Sequence, residues 1–347
     1  MAGTKRPGHG PRRIVRAPNH LGDVVLALPA LMADASDVLV LDWLAPLMRM
    51  AGARGRALPF THGATGWLAA VRELRARGYE EGVLLTPAFS AAWLFRWGGV
   101  GDLRGTATDG RAALLTDRIP AGDLRPHHRV DQYKLLLGQD VGVGAATHEV
   151  TPPPDVVSRW RTRLDQGAPG RADAPLVGLF PGSNAPARRW PVERFAEVAR
   201  TLDRKGVRVV IMGGPPERPV THAVSAAAPG SRDLAGATDL LDLAALLSLC
   251  DLVVTNDTGP MHLAGAVGTP TVTVWGPSSP SEVGQRGAAD ARITGPALPC
   301  KPCYRNQCPR RGRGTILERA HEECMRLIEV RSVVEAVEAL LARPDAR

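Results

Sequence analysis

Residues 249–277 read LCDLVVTNDTGPMHLAGAVGTPTVTVWGP. Leu252-Val253-Val254 is an apolar, β-branched run, the pattern of a strand covered on both faces. It runs straight into Asp257-Thr258-Gly259-Pro260. Pro260 has a fixed φ and no N–H, so it suits the first turn of a helix, with Thr258 or Gly259 as the cap. Gly268 ends that short helix and Pro270 keeps it from continuing. Thr271 to Val274 then reads as the next parallel strand. The stretch is therefore strand, tight turn, helix, strand. Its turn lies at the carboxyl end of a strand, where open α/β sheets bind ligands.

Asp-Thr-Gly is also the tripeptide of aspartic proteases. Those enzymes need two carboxylates sharing a proton in an all-β fold, whereas here there is one copy and a helix follows it. The chemistry of the turn fits an anion better. Free N–H groups and the positive dipole end of a helix attract phosphate. Thr258 adds a hydroxyl, Gly259 allows close approach and His262 adds a ring donor. An ordinary capped helix with a solvated histidine accounts for the same residues, and this segment alone leaves both readings open.

Outward from this stretch the same alternation recurs. LVGLFPG, VRVVIMGG and DLVVTN read as strands, with helices over PVERFAEVARTLDRKG, residues 217–227 and DLLDLAALLSLC. Upstream, RRIVRAP, DVLVLDW and EEGVLLTPAF read as strands. They alternate with helices in DVVLALPALMADA (from Asp23), TGWLAAVRELRARGY and RVDQYKLLLGQDVGV. The Pro-, Gly- and charge-rich segment THEVTPPPDVVSRWRTRLDQGAPGRADAP reads as an interdomain connection holding one helix near 155–165. Such βα series predict two doubly wound parallel-sheet, Rossmann-like domains facing a cleft. The expected division is a disordered basic arm at 1–12, domains at 13–150 and 175–330, a linker at 151–174, and a C-terminal helix and tail at 331–347.

A chain of 347 residues fits two domains better than one. No run of about 18 apolar residues occurs, so no membrane span is expected. The basic start MAGTKRPGHGPRR lacks the apolar stretch of a signal peptide, so a cytoplasmic protein is expected. A net charge of +8 points to an anionic partner. Nucleic acid fits poorly, because aromatic residues make up 4% of the chain and the arginines form no reading helix.

Three further loops follow predicted strands. FPGSNAPARRWPVERF places the hydroxyl of Ser183, the amide of Asn184 and the guanidinium groups of Arg188 and Arg189 between a strand and a helix. Arginine donates in a planar fork suited to diphosphate oxygens, although both arginines could simply solvate a loop. In IMGGPPERP, Glu217 is placed to accept from a ribose diol, or to serve as a helix-terminal acid. In RAPNHLGDVVLALPAL, Asp23 is placed either as a helix cap or as a general base, with His20 the competing base.

NHLGDVVLALPAL, PGSNAPARRWPVERFAEVA, AGATDLLDLAALLSLCDLVVTNDTGPMHLAGAVGTPTVTVWGPSSP and PCKPCYRNQCP…HEECM together resemble glycosyltransferase family 9. Four segments match in the same order, from about residue 12 to 342. The best-known members are ADP-heptose:lipopolysaccharide heptosyltransferases, and the cysteine-bearing tail is most similar to the heptosyltransferase II branch. The resemblance implies a GT-B fold with an acceptor-binding first domain, a donor-binding second domain and no cofactor or catalytic metal. It places the base on Asp23, the phosphate-binding cation on Arg188, where the family usually has lysine in Lys-x-Trp-Pro, and the ribose contact on Glu217. Its Asp-Thr-Gly-x-x-His element falls on Asp257, Thr258, Gly259 and His262. Implied partners are an ADP-sugar donor and a glycolipid or oligosaccharide acceptor at the cytoplasmic face of the inner membrane. A family 9 transferase for another nucleotide sugar and a catalytically silent nucleotide-sugar-binding protein are the alternatives.

Cys300, Cys303, Cys308 and Cys324 form C-x2-C-x4-C-x15-C, a spacing open to a structural metal or to reduced thiols. Cys250 falls at the end of a predicted helix. Lys301, Arg305, Arg310, Arg311 and Arg313 make the surrounding loop basic.

Overall fold

In a computed structural model, residues 12–142, 147–166, 173–308 and 323–343 are described. The expected arm and the cations Arg310, Arg311 and Arg313 lie almost wholly or entirely outside these ranges. The chain divides into two compact units, after Ala145.

The first unit contains β1 (Arg13–Arg16), α1 (Leu21–Ala33), β2 (Asp37–Leu41), α2 (Ala45–Met50), β3 (Ala57–Phe60) and α3 (Ala64–Arg77). It continues with β4 (Glu81–Leu84), α4 (Phe89–Trp97), β5 (Asp102–Thr106), β6 (Asp117–Ile119), α5 (Ala121–Leu124) and α6 (Arg129–Leu136). All paired strands are parallel, in the order β3-β2-β1-β4-β5-β6. Ile14, Leu39, Leu84 and Leu103 form one apolar cluster with Ala70, Val71 and Leu74 of α3 and Ala92 and Phe95 of α4. Burial of that kind contributes roughly 1.5–3 kcal/mol per large side chain. Helices α1 and α6 pack against each other.

The second unit contains α7 (Pro154–Gln166), β7 (Leu176–Phe180), α8 (Val192–Arg204), β8 (Arg208–Ile211), α9 (Arg218–Ala226), β9 (Arg232–Asp233) and α10 (Leu240–Leu249). It is completed by β10 (Leu252–Asn256), α11 (Gly259–Ala266), β11 (Thr271–Trp275), α12 (Pro280–Val283), β12 (Asp290–Thr294), α13 (Glu323–Arg326) and α14 (Val330–Leu341). Its strands are also parallel, ordered β12-β11-β10-β7-β8-β9. β7, β10 and β11 are buried along their whole length, which explains their unbroken apolar and threonine runs.

The division comes slightly earlier than the expected boundary at 150. Much of the segment expected as a linker is helix α7, whose buried Trp160 donates its ring N–H to Asp242 of α10 at 2.7 Å. The C-terminal helix is likewise part of the second unit, because Val333, Val337 and Leu340 of α14 lie in the core with Val254 and Val274. Among the described residues no helix is long and apolar enough to cross a membrane.

In both sheets the chain starts in the middle, builds outward on one side, then returns to build the other. The reversal falls between β1 and β4 in the first unit and between β7 and β10 in the second. Loops at the carboxyl ends of such paired strands are where this architecture holds ligands.

Candidate functional site

In the second unit the two loops at the reversal carry most of the expected donor residues. The loop after β7 holds Ser183, Asn184, Arg188 and Arg189, and the turn after β10 holds Asp257, Thr258 and Gly259. Asn256, fully buried as the last residue of β10, ties them together. Its Nδ2 donates to the carbonyls of Pro181 (2.8 Å) and Gly182 (3.2 Å), and its Oδ1 accepts from the Trp190 N–H (2.9 Å). Trp190 is buried against Phe195, ring centroids 5.2 Å apart, which seats the end of the loop in the core. Asn256→Leu would leave these backbone groups without a partner. We expect it to cost about 2 kcal/mol of stability and to weaken ADP affinity. Thermal unfolding and ADP titration check this, and unchanged ADP affinity in folded protein would separate Asn256 from the loop's function.

Arg188 Nη1 lies 3.2 Å from Asp257 Oδ2, and Ser278 Oγ also donates to Asp257 Oδ2. Asp257 is buried, and these two contacts reach its carboxylate from different loops. Arg188 Nε is buried without a hydrogen-bond partner among the described residues. Ser183 is buried, with its Oγ accepting from the Ala185 N–H at 3.2 Å, so this hydroxyl shapes the loop. Arg189 likewise turns inward, donating from Nε to the Ser183 carbonyl at 2.8 Å. Asn184 is exposed on the same loop.

Thr258 is the N-cap of α11 in extended conformation, and its side chain makes no cap hydrogen bond. The hydroxyl and the Gly259 N–H are thus placed to meet an anion, whereas Pro260 has no N–H and the Met261 N–H donates to the Thr258 carbonyl at 3.1 Å. His262 is 5% exposed, which replaces the solvated histidine of the simpler reading with one buried in the helix's first turn. Gly268 has φ +87°, the left-handed geometry that closes the connection to β11.

Glu217 Oε2 accepts from the Gly214 N–H at 2.7 Å. Its carboxylate also crosses Gly182, where an added Cβ would lie 1.7 Å from Oε1. Glu217 therefore bridges the loops after β7 and β8, beyond the helix-terminal role that its position in the chain allows.

The cysteine segment is tied by backbone hydrogen bonds to the loops after β7 and β11. The N–H groups of Cys303 and Tyr304 donate to the Pro277 carbonyl at 2.8 and 3.0 Å, and the Ala187 N–H donates to the Asn306 carbonyl at 3.0 Å. Burial lowers the Lys301 ammonium pKa, while the nearby Cys324 thiol raises it. Among the described residues, which include all five cysteines, no three His, Cys, Asp or Glu side chains are grouped to hold a metal ion. Cys250 follows α10 rather than lying within it, and burial pushes its thiol up to about 12.

In the first unit, α1 starts at Leu21, two residues before the expected Asp23, because extended His20 is the N-cap. Asp23 is half-buried in the first turn. The capping reading of Asp23 gives way to a tertiary contact, since its Oδ1 accepts from the Tyr133 hydroxyl of α6 at 2.9 Å. Burial, reinforced by the Asp23 charge, pushes the Tyr133 phenol well above its ordinary value, so it stays a donor. His20 is exposed. Arg16, at the end of β1, is buried and bonds the Ala17 carbonyl and Asn19 Oδ1, and burial lowers its pKa to about 9. It fixes the path of the loop leading to Asp23.

A cavity of about 500 Å³ lined by Arg13, Glu81, Asp102, Arg104 and Asp117 lies at the opposite, amino end of this sheet. It is remote from Asp23 along the strands, and its arginines already pair with Asp34 and Asp117.

Tyr133, Asn256 and Ser278 are the residues that reading along the sequence did not single out. Only Asn256 had a local signal, as a polar residue ending an apolar strand just before the Asp-Thr-Gly turn.

Comparison with known proteins carries the same pattern. The chain is 29% identical over 295 residues to lipopolysaccharide heptosyltransferase 2 of Salmonella typhimurium, covering 77% of this chain and 83% of that one. The solved structure of Escherichia coli ADP-heptose lps heptosyltransferase II superposes with a TM-score of 0.77 at 22% identity, covering 95% and 98% of the two chains. That of E. coli heptosyltransferase WaaC with ADP gives 0.66 at 18% identity, covering 94% and 99%. The two parallel sheets are thus those of the GT-B type. Residues 67–312 match the family described as glycosyltransferase family 9 (heptosyltransferase), a span that takes in the loops of Ser183, Arg188, Glu217 and Asp257. With the order of its motifs, its two-sheet fold and this match in agreement, the chain belongs to glycosyltransferase family 9.

Proposed function

We propose that the protein transfers a heptose from ADP-heptose to a lipopolysaccharide inner-core or related glycan acceptor, inverting the anomeric carbon. The observation that carries this reading is the pair of loops at the β7–β10 reversal. They bring Arg188, Thr258 and the open end of α11 together around the buried Asp257. Such a set of fixed donors suits a diphosphate leaving group. The choice of ADP and heptose draws support from the names of the relatives above.

In this mechanism the second unit is the donor-binding part. Arg188, Thr258 and the N–H of Gly259 take the charge that develops as ADP departs. Glu217 binds the ribose, while Ser183 and Asn184 shape and line the loop. Asp257 orients Arg188, and His262 supports the turn. The first unit binds the acceptor. Asp23 takes the proton from the attacking sugar hydroxyl, and Tyr133 holds the carboxylate in place through Oδ1. The enzyme works at the cytoplasmic face of the inner membrane, where a lipid-linked acceptor is presented.

The test is acceptor-dependent release of nucleoside diphosphate from a panel of ADP-, GDP- and UDP-sugars. ADP-heptose with an inner-core acceptor should be the fastest pair. Faster turnover of another donor would shift the substrate within the family, and binding without any release would favour a silent binding protein.

The leaving-group donors proposed here are protein groups already in place, so no bridging cation is required. Initial rates should therefore survive brief EDTA treatment and change little with Mg²⁺ or Mn²⁺. An immediate loss in folded protein, reversed by either cation, would leave the described site incomplete.

A further inference from the structure

Helix α4 carries an outward aromatic ridge that the proposed chemistry does not use. Phe89, Trp93 and Trp97 recur every fourth residue and so share one face of the helix. Phe89 stacks on Trp93 with centroids 6.0 Å apart, and Trp93 meets Trp97 at 5.9 Å. Trp67 of α3 extends the row, 5.7 Å from Trp97. Phe89, Trp93 and Trp97 are 41%, 41% and 47% exposed, and Leu68, which follows Trp67 on α3, is 46% exposed. The opposite face of α4 is already in the core through Ala92 and Phe95, so core packing does not account for the ridge. Aromatic residues make up only 4% of the chain, which makes this concentration on one surface informative.

The charges around the ridge have one dominant sign. Arg72 and Arg75 are exposed on α3, and Arg75 Nε donates to the Trp97 carbonyl at 2.7 Å, which places its guanidinium at the ridge's end. Arg96 bonds the carbonyls of Leu114, Val100 and Gly101, with no carboxylate partner among the described residues. Glu73, the acid of α3, is paired with Arg77 at 2.6 Å. Asp109 sits at the other end, accepting the Phe89 N–H.

We infer that this ridge is the surface by which the protein rests on an anionic lipid bilayer. The tryptophan rings enter the headgroup layer, and Arg72 and Arg75 meet lipid phosphates. Amphipathic indoles favour that layer, and arginines beside it gain from the negative surface potential. Attachment is interfacial, since no described helix can cross a membrane. Position strengthens the inference. Phe89 follows the carboxyl end of β4, and β4 pairs with β1, whose following loop leads to Asp23. The ridge thus begins at the same end of the same sheet as the proposed acceptor base, where a lipid-borne acceptor would arrive. That last point rests on the proposed function, whereas the test below uses no substrate.

The full chain is floated with vesicles of phosphatidylethanolamine alone or mixed with phosphatidylglycerol. It should partition onto the mixed vesicles, and the Trp93→Ser/Trp97→Ser variant should bind them about tenfold more weakly. Arg72→Gln/Arg75→Gln should lose much of the preference for the anionic lipid. To keep the test independent of how well the serine variant folds, Trp93→Phe/Trp97→Phe is measured with brominated acyl chains. Lipid quenching of tryptophan fluorescence should be strong in the parent and mostly lost in this variant. Unchanged vesicle binding and unchanged quenching in the variants would overturn the inference. So would sedimentation showing that the ridge joins two copies of the chain while vesicle binding is indifferent to it. ADP binding, measured in parallel, tells a failure of this surface from a failure of the transferase reading.

Discussion

Asp23→Asn is expected to slow acceptor-dependent transfer by roughly 100-fold or more while leaving ADP-sugar affinity unchanged. The amide has nearly the shape of the carboxylate, and its oxygen can still accept from the Tyr133 hydroxyl that now reaches Oδ1. Local packing of α1 against α6 therefore survives, and what disappears is the ability to take a proton. Tyr133→Phe probes the same contact from the other side. It removes the hydrogen bond that orients Asp23 but keeps the base, so a smaller loss in kcat of about 5–10-fold is expected, with KM for the donor unchanged. Rates at saturating donor, with ADP titration in parallel, check both. Near-normal turnover in Asp23→Asn would remove the base assignment and turn attention to His20, which is exposed on the same loop. A Tyr133→Phe loss confined to stability would reduce the tyrosine to a packing role.

What could be read along the chain was the part written in local pattern. β7, β10 and β11 carry apolar residues, glycine and threonine with no charged position because both of their faces are covered, and the turn after β10 announces itself through Pro260 and Gly268. The elements not singled out have weak patterns for physical reasons. β3 is an edge strand interrupted by Pro59, a residue tolerated there because an edge needs fewer ladder bonds. β5, Asp-Leu-Arg-Gly-Thr, alternates around glycine and arginine, and β6 has three residues at the other edge. α4 has apolar residues on both its inner and outer faces, which erases the helical period. The candidate site divides in the same way. Asp257, Thr258 and Gly259 could be named from one short segment, and Arg188 from its place before Trp190-Pro191. The partner that converts Asp23 from a cap into an oriented carboxylate lies 110 residues away, and Asn256 reaches back 66 to 75 residues to the loop it holds. Contacts of that range leave no trace in local periodicity. The helix expected near 155–165 is present as α7, but its anchoring to the second unit through Trp160 and Asp242 is another long-range contact that its proline and glycine flanks do not announce.

Arg188→Ala should weaken ADP-sugar binding and slow transfer together, lowering kcat/KM by roughly 100-fold. A diphosphate contact acts both before and during departure of ADP, so both parameters move. The structure adds a second consequence. Asp257 is 2% exposed and takes Arg188 Nη1 at 3.2 Å, so truncation removes the guanidinium that balances a buried carboxylate, while the Ser278 hydroxyl still donates to Oδ2. A buried charge that loses its partner is costly, and a lower melting temperature is expected alongside the kinetic loss. Arg188→Lys separates the two causes. Lysine keeps the positive charge near Asp257 but loses the planar fork, including the Nε that is buried here without a partner. If charge is what the leaving group needs, the lysine variant keeps activity within a few-fold of the parent and regains most of the stability. Kinetics, ADP titration and thermal unfolding of both variants give the answer. A lysine variant that is stable yet as slow as alanine would mean that the fork geometry matters more than the charge. Unchanged ADP affinity in a folded alanine variant would take the diphosphate away from this loop and leave Arg188 as the structural partner of Asp257.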